Sequence, residues 1–86
     1  MNFNFDVPYE TELLREKTSK VLKEFDSYIK RHNITNEKDS IVILRESIVA
    51  IRSNIFKCAY TNLDSIKEAR GQVEFATQLL EKIKQD

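Results

Sequence analysis

Apolar residues recur along most of this chain at spacings of three and four, the repeat of one helix face. In the first segment Leu14, Val21 and Tyr28 fall seven apart, Thr18, Phe25 and His32 interleave with them, and Leu22 and Ile29 widen the stripe. The pattern predicts an amphipathic helix over about 7–32. Asp6 is a candidate N-cap, Pro8 falls in the first turn where its missing N–H costs nothing, and Glu10 and Glu12 suit the positive end of the helix dipole. The polar run Asn33–Asp39, broken only by Ile34, reads as a connection, with Thr35 or Asn36 able to accept from the free N–H groups of the next helix.

A second helix is predicted over about 36–62, with Ile41, Leu44, Ile48, Ile51, Ile55 and Cys58 as its stripe and Val42, Val49, Phe56 and Leu63 as a second column beside it. So wide an apolar arc predicts the central, most buried element. The next junction reads two ways. A break is favoured by Asp64 or Ser65 as a cap and by the capping-box spacing of Ser65 and Glu68. Continuity is favoured by the seven-residue step Ile41, Ile48, Ile55, Asn62, Ala69, Ala76, Ile83. A continuous helix of about 45 residues would extend about 65 Å and outrun the first helix, which weighs toward the break. The third helix, about 65–84, carries Ile66, Ala69, Val73, Ala76, Leu80 and Ile83. The expected class is all-α, a three-helix bundle or a helical hairpin with a long second helix. Its organisation is an aromatic N-terminal arm, 1–6, and a single helical domain, 7–86.

Two features stand off these stripes. The only glycine, Gly71, lies nearly half a turn from the third stripe, on the outer face it shares with Phe75. A mid-helix glycine costs about 1 kcal/mol against alanine, so a close approach by another chain or ring is the functional reading and a tolerated defect the bland one. The arm places Phe3, Phe5 and Tyr9 within nine residues, too aromatic for a solvated tail. Arg45 and Arg52, seven apart inside the apolar arc, either pair with carboxylates of this chain such as Glu74 or Glu81, or fork onto acidic groups of a partner. Phe3, Phe5, Arg45, Arg52, Gly71 and Phe75 are therefore the candidate partner-binding residues.

The stretch Asp64–Glu74, followed by Leu79-Leu80, resembles the C-terminal segment of small helical proteins encoded by tailed bacteriophages, which often show an Arg-Gly or Gln-Gly step before a short leucine-rich helix. The likeness covers about the last quarter of the chain and lacks the tryptophan or proline common near that end. It implies a setting among virion assembly and DNA packaging genes rather than a reaction.

Composition narrows the function by exclusion. The 86 residues carry 14 basic and 14 acidic side chains, so no long-range field draws the chain to nucleic acid or anionic membrane. Lys20, Lys23, Lys30 and Arg31 make a mildly basic side of the first helix without interleaved aromatics, a poor phosphate track. No apolar run approaches the roughly 20 residues of a membrane span, and the lone Cys58 and absent signal pattern lead to the expectation of a soluble, cytoplasmic protein, of the host cell or virion. One histidine, His32, excludes two-histidine metal motifs and reads as a helix C-terminal residue near the dipole; Cys58 reads as a buried inert thiol. There is no glycine-rich phosphate loop or cysteine cluster. No enzyme activity, cofactor, metal or small-molecule substrate is expected.

The reading is a non-enzymatic interaction or assembly module, a phage structural or assembly accessory protein that binds a protein partner, copies of itself, or both. The alternatives are an inhibitor that binds a host or defence protein, and a nucleic-acid accessory factor.

Overall fold

The computed structural model describes residues 6–85. Its three helices are α1 (Asp6–Arg31), α2 (Ser40–Phe56) and α3 (Leu63–Gln85), an all-α three-helix bundle. Pairing between helices fixes their directions. Glu10, Lys17 and Glu24 of α1 meet Arg70, Glu74 and Lys84 of α3 in the same order along both, so α1 and α3 run parallel, and the chain returns through α2. The core closes on Leu14, Val21 and Phe25 from α1, Ile48, Ile51 and Ile55 from α2, and Ile66, Val73 and Leu80 from α3. Burying one such side chain contributes on the order of 1.5–3 kcal/mol. Thr18 is fully buried in the same stripe, and its hydroxyl donates to the Arg15 carbonyl at 2.8 Å. That bond removes the cost of an unpaired buried hydroxyl.

The chain breaks between α2 and α3, and α2 is shorter at both ends than the predicted 36–62. Its N-cap is Asp39, whose carboxylate accepts from the Ile41 N–H at 2.9 Å. Asn36 instead makes a local turn, accepting from the Lys38 N–H. At the other end Cys58 takes φ 56°, its N–H reaching the Ile55 carbonyl and the Ala59 N–H the Asn54 carbonyl, an end in which a left-handed residue closes off the last carbonyls. Cys58 is consequently exposed in the turn rather than buried on a stripe. The cap of α3 is Asn62, not Asp64 or Ser65: its side-chain oxygen accepts from the Ser65 N–H at 2.9 Å. The residue that carries the heptad step through the junction is the one that ends it.

The centre of the bundle is α1, not α2. It packs α2 on one flank and α3 on the other, and the α2–α3 contact is the thinnest of the three. Correspondingly, Ile43 of α2 stays exposed and Val42 and Val49 are only half-buried.

Candidate partner-binding surfaces

The parallel packing of α1 and α3 leaves a groove along one side of the bundle. It consists of two adjoining hollows that share Arg70, one against Leu13 and Leu14 and the other against Tyr9, Leu63 and Ile66. The Arg70 guanidinium crosses it to Glu10 at 3.0 Å, and Lys17 crosses to Glu74 at 2.9 Å. The Lys17 ammonium, through its hydrogen bond and its charge, holds the Glu74 carboxyl below the usual carboxylate range. Tyr9 and Leu13 are 63% and 42% exposed although they stand one helical turn apart beside this cleft. A tyrosine and a leucine stacked in this way on a rim form an apolar strip with nothing of the described chain over it.

Arg45 and Arg52 separate in role. Arg45 donates from Nε to Asp26 of α1 at 2.6 Å and from Nη1 to Glu46 at 3.1 Å, and the Asp26 carboxylate raises its pKa above the ordinary arginine value. Its charge is matched within the bundle, by Asp26 and Glu46 rather than by Glu74 or Glu81. Arg52 lies 5.6 Å above the ring of Phe56, and its Nε is covered without an acceptor. Phe56 itself is 64% exposed.

Gly71 and Phe75 lie on the outward face of α3. A methyl group built at Gly71 would meet nothing within 4 Å, and Phe75 is 61% exposed. Phe3 and Phe5 lie outside the described residues. The six candidates therefore do not converge on one site: Arg52 belongs to α2, Gly71 and Phe75 to the outer side of α3, and Arg45 to the internal ion-pair network. Leu13 and Arg70 are not among the candidates the sequence offers, and Leu63 and Phe56, placed there in the apolar column of the second helix, are exposed. The signal for the groove was Tyr9 and Leu13, apolar at a spacing of four yet off the core stripe.

No group of three or more metal-ligating side chains occurs among the described residues, and no helix is long and apolar enough to cross a membrane. His32 is exposed just beyond α1, its ring 4.2 Å from that of Tyr28.

A family model for the bacterial epsilon antitoxin matches residues 4–83. The chain belongs to that family. No curated protein and no solved structure matches it. Membership overturns the expectation of a phage structural or assembly protein: the match spans nearly the whole chain, and an antitoxin acts on a protein partner, the toxin, as an inhibitor rather than as an enzyme. The inhibitor held as an alternative is the reading that fits.

Proposed function

We propose that this epsilon antitoxin family member neutralises its toxin by stoichiometric binding in the cytoplasm, with the α1–α3 groove as the contact face. The observation that carries the choice of face is the exposure of Tyr9 and Leu13, one beside each hollow of the groove. Large apolar side chains in water beside a concave surface give binding energy when a partner covers them, and contacts of this kind dominate interfaces. Two ion pairs, Glu10–Arg70 and Lys17–Glu74, tie its α1 wall to its α3 wall. A preformed wall loses little entropy on binding.

The test is the affinity of purified chain for toxin after replacing Tyr9 and Leu13 together with serine. Both side chains lie outside the core, so the fold should persist and binding should weaken about 30-fold or more, the scale of a hot-spot loss. Unchanged affinity with an unchanged circular dichroism spectrum would exclude the groove. The outward Gly71–Phe75 face is the counterpart control. If it serves association between copies of the chain, Phe75→Ser lowers the solution mass and leaves toxin affinity alone.

A further inference from the structure

Arg52 is the polar side chain of the described residues whose covered atom packing leaves without an acceptor. Its contrast with Arg45 is informative, because seven residues are nearly two helical turns and return to nearly the same side of α2. Arg45 meets Asp26 and Glu46 there, whereas no carboxylate of the described residues pairs with Arg52. The guanidinium instead lies over Phe56, with its carbon 5.6 Å from the ring centroid.

Such a placement has a directional consequence. A planar cation held over a ring is favoured by the ring's charge distribution and keeps its N–H edge free for an acceptor. Since Nε is covered, the edge on offer is that of the two Nη groups. A partly desolvated cation gains more from an incoming anion than a fully hydrated one, and the exposed ring beneath offers apolar cover to the stem of an acidic side chain. A phosphate backbone is a poorer match. It needs a row of free cations, and the nearest arginine along this face, Arg45, is already neutralised.

We propose that the Arg52–Phe56 pair is a docking point for an aspartate or glutamate side chain of the toxin. The carboxylate is received by the Nη edge of Arg52, and the Phe56 ring packs against the methylene carbons behind it. This contact rests on toxin binding as the function but not on the α1–α3 groove as its main face.

The experiment titrates toxin against the parent chain, Arg52→Gln, Arg52→Lys, Phe56→Leu and the Arg52→Gln/Phe56→Leu double variant, at low and moderate salt. Arg52→Gln should weaken binding about 30-fold or more, the scale for removing one partner of a desolvated charge pair, and should flatten the salt dependence. Arg52→Lys should recover only part of the loss, because an ammonium lacks the planar fork. Phe56→Leu should cost affinity in the parent and little in the Arg52→Gln background, since the two residues act together. Parental affinity and salt dependence in Arg52→Gln would overturn the proposal. If that variant melts early, Arg52→Lys decides: weaker binding at the parental melting temperature supports the contact, and parental affinity removes it. Failure of the parent chain itself to bind toxin would instead take down the antitoxin reading.

Discussion

Asn33 and Cys58 hold equivalent places at the ends of α1 and α2, each with a left-handed backbone, φ 53° and φ 56°. Around Asn33 the Ile34 N–H bonds to the Ile29 carbonyl at 3.0 Å, and around Cys58 the Ala59 N–H bonds to the Asn54 carbonyl at 2.9 Å. Asparagine tolerates this region, whereas cysteine pays the steric cost of a β-carbon against the following carbonyl. Cys58→Gly should therefore stabilise the bundle by about 1 kcal/mol and Cys58→Val should destabilise it, both read as shifts in the urea midpoint. Equal midpoints for the two variants would show that the turn relaxes around its residue.

Gly71 offers the complementary case, a glycine where the backbone does not ask for one. With open space around its missing side chain, Gly71→Ala should raise stability by about 1 kcal/mol, the helix-propensity difference in an exposed interior. A thermal melt of the variant checks this. A loss of stability would mean that something covers this face in solution.

Asn62 ends the connection before α3 by accepting from the Ser65 N–H. Asn62→Ile should lose that cap, at about 1 kcal/mol, with no change in solution mass. A stabilised variant of larger mass would indicate instead that α2 and α3 can fuse into one helix, since isoleucine at this position completes the heptad step.

The Lys17–Glu74 bridge sets an acid limit on the α1–α3 pairing. Because the folded pKa of Glu74 is depressed, its contribution is present above about pH 4.5 and is lost as pH falls through the lower folded value. Lys17→Gln should accordingly melt below the parent at pH 7, and the gap should narrow as the pH is lowered below 4.5 and close once Glu74 is protonated in the folded state. A gap that stays constant down to the acid unfolding of the parent would assign the loss to packing of the lysine stem.

Most of the core follows from spacing, since Leu14, Ile48 and Val73 sit on stripes that any packed bundle must bury, whereas the helix count does not, because the seven-residue step runs on through Asn62 and only capping and length weigh toward the break. What spacing cannot show is which helices are neighbours. Asp26 is the partner of Arg45 only because α1 and α2 run antiparallel, so Glu74 and Glu81 were equally reasonable candidates from composition. Cys58 was placed on the core stripe because its backbone angle, which takes it out of the helix, has no glycine to announce it. The binding surfaces were the least readable. Recognition of a protein needs shape and exposed apolar area rather than a motif, and the exposure of Leu13 is visible only once α3 is known to leave it uncovered.

The thinness of the α2–α3 contact bears on how the unbound chain breathes. Two helices that each lean on a third, and scarcely on one another, can detach separately, so local opening need not be cooperative across the molecule. Backbone amides of α2 and of α3 should then exchange with solvent deuterium as two independent groups, with the middle of α1 slowest of all. A toxin that grips α1 and α3 together would slow exchange in those helices and leave α2 nearly at its free rate, whereas one that also engages Arg52 would slow all three.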